Sequence, residues 1–238
     1  MNTMLELKQV SITLHEKRLL DNVSLKVEQG AFYCLIGESG GGKTLIGKAL
    51  LRHLPRSLAM EGEIIVNSQQ VEVILQHPLD SLAANVSILA QLRHLLRGQK
   101  IPKAEWEIRM REALMQVGLV PDEALLRKRP YQLSGGMCQK IVLACALITK
   151  PEVIIADEAT SALDVESQKL LLQMLKKLQI EEHCTIFFIT HDLDLARTYS
   201  TNLGIVKEGQ LIESGKTEDI LNDPQQKYTK ELIDIFES

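Results

Sequence analysis

An apolar run, Ala31–Ile36, breaks at Gly37 into Glu38-Ser39-Gly40-Gly41-Gly42-Lys43-Thr44, and a helical pattern, Thr44–His53, follows at once until Pro55. Few folds accommodate this order. The run reads as a buried strand, and the glycines permit backbone conformations that other residues resist. Residues 37–44 fit GxxxxGK[ST] at every fixed position. Successive N–H groups and a helix N-terminus form a nest for an anion. In such a nest Lys43 would reach the β- and γ-phosphates of a nucleotide, and the Thr44 hydroxyl would sit on Mg²⁺. The bland alternative is a glycine-rich turn that happens to carry Lys-Thr. The strand on one side and the helix on the other weigh against it.

A second apolar strand, Glu152–Ala156, delivers Asp157 and Glu158 at its C-terminal end, where open α/β sheets place ligands. Successive strand residues point to opposite faces, so the two carboxylates are expected to have different tasks. Asp157 would complete the Mg²⁺ shell and Glu158 would polarise an attacking water. Alone, the pair reads as a helix cap. Beside a phosphate loop it reads as chemistry.

The rest of the chain supplies the frame. Leu5–Leu14 and Val23–Val27 read as strands, and Gly62–Val66 with Val71–Leu75 as a single hairpin turning at Asn67–Gln70. Trp106, Met110, Ala113, Leu114 and Val117 line one face of a helix, with Pro102 at its start and Gly118 at its end. A second helix begins near Ser134 with Met137, Ile141, Cys145 and Ile148 on one side. Beyond it come a helix over Val165–Leu178, a strand at Thr185–Ile189, a hairpin turning at Glu208-Gly209, and a tail helix, Gln225–Phe236. Apolar strands alternating with helices predict an α/β fold with a mostly parallel sheet, an antiparallel β portion at the N-terminus and an inserted helical portion. One domain is expected: residues 1–76 and 150–238 form the α/β lobe, and 77–149 the helical lobe.

Composition narrows the class. The 27 basic and 31 acidic side chains leave a formal charge of −4, which argues against nucleic-acid binding by bulk electrostatics. Cys34, Cys138, Cys145 and Cys184 form no CxxC pair, so reduced thiols are expected rather than disulfides or zinc. The longest apolar run, Ile141–Ile148, is far short of the roughly 20 residues of a spanning helix. The polar N-terminus does not read as a secretory signal.

Leu133-Ser134-Gly135-Gly136-Met137 separates this chain from other phosphate-loop proteins. It resembles the LSGGQ signature of ATP-binding cassettes. The order of elements matches too: phosphate loop, Gln76, signature, acidic strand, Ser161-Ala162-Leu163-Asp164, then His191. Singly, Ser134 reads as an N-cap, and Gln76 or His191 as an ordinary loop-end residue; the shared order is what makes those readings improbable. The resemblance spans essentially the whole chain and implies an ATPase that works as a head-to-tail dimer. Each ATP would be held by one subunit's phosphate loop and by Ser134, Gly135 and Gly136 of the other. The physics agrees, since one chain cannot close both anion sites on one γ-phosphate if they lie on separate lobes. His191 would contact the γ-phosphate and position the water with Glu158. Asp164 would connect the two sites, and Gln76 would sense Mg²⁺ and a membrane partner.

Finer details are similar to the peptide/nickel importer group: GESGxGK, Gln-x-Pro at 76–78, Met137 ending the signature, Ala-Asp-Glu at 156–158, and the tail Tyr228-Thr229 with Leu232. The resemblance implies a second ATPase subunit, identical or not, two integral-membrane permeases and an extracytoplasmic substrate-binding protein. It places the chain peripherally on the cytoplasmic face of the inner membrane, with nickel, metal chelates or peptides as cargo. The alternative is a soluble cassette ATPase of metal-cluster assembly or another non-transport role. There are departures. The stretch where many cassettes stack adenine on an aromatic ring is Ile12–Glu16 here, leaving Leu14 or His15 to pack on the base. Ala159 replaces a common proline, which should leave its loop less rigid, and Cys138 and Lys140 replace the usual residues after the signature.

Overall fold

The computed structural model describes residues 2–75, 81–161 and 163–237. They divide into two compact units, one of Met1–Val71, Glu152–Glu158 and Met174–Ser238, the other of Glu72–Pro151 and Ala159–Gln173.

In the first unit, β1 (Thr3–Leu14), β2 (Lys17–Glu28) and β4 (Leu58–Val66) make an antiparallel sheet in the order β2-β1-β4. β2 alternates buried Val23, Leu25 and Val27 with exposed Ser24 and Lys26, the pattern of a sheet wet on one face. A second sheet contains β3 (Phe32–Gly37), β6 (Val153–Asp157), β7 (Thr185–Ile189), β8 (Asn202–Lys207) and β9 (Gln210–Lys216), ordered β6-β7-β3-β8-β9. The first four are parallel and β9 runs back along β8. β3 and β7 are buried at every residue, which suits parallel strands covered on both faces. Because β3, β6 and β7 run the same way, their C-terminal ends open onto one edge. Everything chemical in this unit follows from that edge.

Helix α1 (Lys43–Leu50) buries Ile46, Ala49 and Leu50 in a core shared with Leu7 and Ile12 of β1, Leu35 of β3 and Phe187 and Ile189 of β7. It ends earlier than Pro55 suggests. Arg52 takes a left-handed conformation (φ 55°), the Arg52 N–H bonds the Ala49 carbonyl (2.9 Å), and the His53 N–H bonds the Lys48 carbonyl (2.9 Å). That pair of bonds closes the helix before the proline is reached. The single hairpin expected over residues 62–75 is also corrected. β4 starts at Leu58 and pairs with β1, from Leu5↔Val66 to Leu14↔Leu58, rather than with the following strand, β5 (Val71–Leu75). A polar four-residue linker is compatible with either arrangement, and burial of Ile64 and Val66 against the β1 core favours the one observed.

The second unit is largely helical. α2 (Ile88–Gly98) is capped by Ser87 and buries Ile88, Leu92 and Leu96, one face at a spacing of four. α3 (Trp106–Gln116) stops where Gly118 (φ 71°) accepts the left-handed turn, as the sequence suggests. α4 (Glu123–Arg127) is capped by Asp122, and α5 (Gly135–Thr149) by Ser134. α6 (Val165–Glu181) begins in this unit. α7 (Leu193–Tyr199), α8 (Thr217–Asn222) and α9 (Lys227–Glu237) belong to the first. Among the described residues no helix is long and apolar enough to cross a membrane. All four cysteines are free, and burial pushes the thiols of Cys34, Cys145 and Cys184 up to about 12, so they stay protonated.

Tyr33 shows how tightly the first unit is fitted. Its ring stacks on Phe187 (centroids 5.6 Å apart), and its hydroxyl shares a 2.7 Å hydrogen bond with Ser214. Gly204 makes room: a Cβ there would lie 2.3 Å from the Tyr33 hydroxyl oxygen and 3.1 Å from Leu211. Gly204→Ala is therefore expected to cost about 1–3 kcal/mol through overpacking. Urea unfolding measures it, and an unchanged midpoint would show that the ring can yield.

Candidate functional site

β3 carries the chain to Gly37 (φ 149°), where a Cβ would stand 2.0 Å from the Val206 carbonyl oxygen of β8. No other residue fits. The loop then curls: the Gly41 N–H donates to the Glu38 carbonyl (3.1 Å), and left-handed Gly42 (φ 106°) precedes α1. The β8–β9 turn braces it from outside. Glu208 (φ 47°) and Gly209 (φ 81°) make the turn, the Gly209 N–H donates to the Gly41 carbonyl (3.0 Å), and the Asp21 N–H of β2 donates to the Gly209 carbonyl (2.9 Å). Lys43 is only 4% exposed; its ammonium donates to the carbonyls of Gly37 (2.8 Å) and Glu38 (2.7 Å). Burial lowers the Lys43 pKa, while the charges of Glu158, Asp157 and Glu38 act to raise it.

The acidic strand arrives beside it. The Thr44 hydroxyl donates to Asp157 Oδ1 at 3.1 Å, joining the end of the phosphate loop to the end of β6 across 113 positions of sequence. Burial raises the Asp157 pKa; Thr44 opposes the shift and Glu158 adds to it. Glu158 is not the next residue of a strand. It has φ 48°, and its N–H donates to the Ile189 carbonyl (3.0 Å). The expectation of alternating strand faces is thus corrected: the backbone leaves β6 at Glu158 through a left-handed residue, so strand alternation does not apply to the pair. A cavity of about 380 Å³ is lined by Ser39, Gly40, Gly42, Lys43, Thr44 and Glu158, together with Leu19, Leu45 and Lys48. His191 is exposed just past β7, two residues beyond the carbonyl that holds Glu158.

The remaining candidates belong to the second unit. Ser134 caps α5 by accepting the Met137 N–H (3.3 Å), with Ser134 and Gly135 exposed and Gly136 half-buried. Asp164 accepts both the N–H (2.9 Å) and the hydroxyl (3.0 Å) of Ser167, and these bonds hold its carboxyl below the usual range. That same hydroxyl oxygen lies 3.5 Å from where a Cβ of Gly136 would be, ordinary contact distance for a side chain placed there. Ala159 is 1% exposed and its carbonyl accepts from Gln139 of α5 (3.3 Å); packing holds this position where a proline ring does not. Cys138 is buried and its thiol donates to the Pro130 carbonyl (3.5 Å). Leu14 closes β1, and His15 (φ 53°) is exposed in the turn after it. Gln76, like Ala162, lies outside the described residues.

The profile of the ABC transporter family matches residues 20–161, from β2 through the phosphate loop, the signature and the acidic strand. The chain belongs to the ABC transporter family. Its catalytic unit is an ABC ATPase domain. A methionine import ATP-binding protein of Shouchella clausii is 36% identical over 97% of this chain and 70% of its own length. A dipeptide transport ATP-binding protein of Lactococcus lactis is 33% identical over 98% of this chain and 81% of its own. A peptidoglycan transport ATP-binding protein of Agrobacterium fabrum is 32% identical over 97% of this chain, which spans only 46% of that protein. Among solved structures, an ATP-binding subunit of an ABC transporter superposes with a TM-score of 0.82 at 25% identity, covering 99% of this chain and all of that one. A dimeric ATP-binding cassette in a post-hydrolysis state, bound to ADP and Pi, superposes at 0.74 with 26% identity, over 90% and 99%.

Three contributors in this ABC ATPase domain escape the motifs. Lys48 sits one turn after Thr44 on α1, and its charge acts to lower the Asp157 pKa; the i, i+4 spacing was the available signal. Ser167 could have been found as the third residue after a capping Asp. Leu19 reaches the cavity only through the β1–β2 pairing, and nothing local announces it.

The direction of the Asp157 shift carries a sign. An acid whose folded pKa is raised holds its proton more tightly when folded, so its ionised form costs stability once the pH exceeds the ordinary carboxylate value of 3.8. That cost grows until the raised folded pKa is passed and is absent below 3.8. Asp157→Asn is therefore expected to be more stable than wild type at neutral pH, with the advantage shrinking on acidification through that window. Urea midpoints at pH 7 and near 3.8 test this; an advantage independent of pH would reject it.

Proposed function

We propose that this chain is the ATP-hydrolysing subunit of an ABC import system, powering uptake of peptides through a separate permease. The observation that carries the catalytic reading is the Thr44–Asp157 contact, which places a hydroxyl and a carboxylate side by side at the mouth of the phosphate loop. These are hard oxygen donors of the kind Mg²⁺ takes, and the ion completes its shell with water and nucleotide phosphates. Thr44 and Asp157 would hold the ion, and the ion would neutralise charge on the phosphates. Gly37–Thr44 would cradle them, the Lys43 ammonium exchanging carbonyl partners for phosphate oxygens. Glu158 would take the proton of the attacking water, and His191, from the neighbouring strand end, would orient it.

Ser134, Gly135 and Gly136 at the N-terminus of α5 would close on the nucleotide of a second subunit, with Asp164 relaying between the sites. The dimeric form of the related cassette supports this arrangement. In this reading the chain is one nucleotide-binding domain, its helical unit inserted into the α/β unit. It works at the cytoplasmic face of the membrane with a second ATPase subunit, two permeases and an extracytoplasmic binding protein. Peptides are favoured over nickel or metal chelates because relatives 30–33% identical are dipeptide and oligopeptide transport ATP-binding proteins.

Glu158→Gln should keep ATP affinity, lose at least about 100-fold in hydrolysis rate and accumulate as an ATP-bound dimer, whereas Lys43→Ala should lose ATP binding. Hydrolysis at the wild-type rate in the first, or unchanged affinity in the second, would remove those roles. With the complete complex in vesicles, dipeptides presented with the binding protein should stimulate ATP turnover. Stimulation by nickel chelates alone would reassign the cargo.

A further inference from the structure

Asp21 of β2 belongs to none of the motifs, yet its backbone and its carboxylate both grip the turn that braces the phosphate loop. Oδ1 accepts from the Arg18 guanidinium (2.6 Å), three residues earlier on the same strand. Oδ2 accepts from the side-chain amide of Gln210 (2.8 Å), the first residue of β9. Each oxygen has its own donor, so the carboxylate is fixed in orientation. The Asp21 N–H donates to the carbonyl of Gly209 (2.9 Å), the residue before Gln210. One residue of β2 therefore holds the β8–β9 turn twice, once by its backbone and once by its side chain. The Gln210 amide, and after it the Arg18 guanidinium, hold the Asp21 carboxyl below the usual carboxylate range, so the acceptor stays charged.

The turn is fitted closely to the strand that holds it. A Cβ on Gly209 would lie 2.4 Å from the Leu19 carbonyl oxygen, and one on Gly42 would lie 2.6 Å from Leu20 Cδ2. Residues 19 and 20 thus lie directly against both the turn and the phosphate loop. From the turn the hydrogen bonds run on without a break. The Gly209 N–H reaches the Gly41 carbonyl (3.0 Å), the Gly41 N–H reaches the Glu38 carbonyl (3.1 Å), and the Lys43 ammonium reaches that same carbonyl (2.7 Å). A largely exposed ion pair such as Arg18–Asp21 adds little to folding stability. The consequence of the clamp lies in what the turn holds. We propose that Asp21 is a positioning residue for the phosphate loop, clamping the β8–β9 turn so that Gly41, the Glu38 carbonyl and the Lys43 ammonium are set in place for phosphate. This rests on the reading of residues 37–44 as the nucleotide site.

The purified full chain tests this by displacement of a fluorescent ATP analogue, once with ATP and once with tripolyphosphate, which offers phosphates without a base. Asp21→Ala should weaken both competitors about 5- to 10-fold, with little change in melting temperature. Gln210→Ala should act in the same direction on both. The double variant should be no worse than Asp21→Ala, because the two substitutions remove one grip. Wild-type affinity in Asp21→Ala, or losses that multiply in the double variant, would overturn the inference alone. So would a loss confined to ATP, which would put the effect at the base end of the nucleotide. A wild-type chain that binds neither the analogue nor ATP would overturn the nucleotide site and this inference with it.

Discussion

The nucleotide end of the first unit depends on how closely β3 and β8 approach at Gly37. Parallel strands normally end with side chains splayed over the sheet edge. Here the Val206 carbonyl occupies the space a Cβ would need, so the chain can turn out of the sheet and into the loop without leaving its hydrogen-bonded neighbour. From that point the loop is fixed on several sides, by its own Glu38 carbonyl, by Gly209 of the hairpin, and by α1 docked on the shared core. The rigidity lies in the sheet, and the loop borrows it.

Electrostatics act on the same few residues. Burial works against the charge of Lys43 and against that of Asp157, and each is among the charges that oppose the other's shift. Two carbonyls and a threonine hydroxyl supply the remaining polar partners. A lysine held away from water with its donors already aimed, and a carboxylate already bonded to the threonine, need little reorganisation to meet phosphate and a hard cation. The signature of the second unit is preset too, with Ser134 capping α5 and Ser167 holding the Asp164 carboxylate.

Legibility in the sequence followed how local each cause was. The phosphate loop, the strand before it and the helix after it are neighbours in the chain, and the motif states them together. Gly118 and Ser134 announce helix ends through local backbone chemistry, and both appear where expected. The errors arise where a non-local partner decides. β4 pairs with β1 because their apolar faces meet in the core, and a polar linker could not reveal that choice. Glu158 keeps its N–H on the distant Ile189 carbonyl, completing the β6–β7 ladder, and leaves the strand direction through a left-handed backbone that an alternating pattern does not show. α2 and α4 are short, and the one local sign of α2 is the spacing of Ile88, Leu92 and Leu96.

By itself the sequence determined the chemical inventory and its order: a phosphate loop, a signature, paired acids and a histidine, on an α/β frame with a helical insertion. Those features rest on backbone conformation and periodicity, which are properties of short segments. Tertiary structure alone decided which groups meet. Thr44 reaches Asp157 because two parallel strands end at the same edge, and Leu19 reaches the cavity through antiparallel pairing. Tyr228 meets the Lys207 ammonium because Glu213 of the hairpin holds the turn that carries the tail there. Such contacts depend on the burial of side chains from distant segments in one core, and no short window of sequence contains both partners.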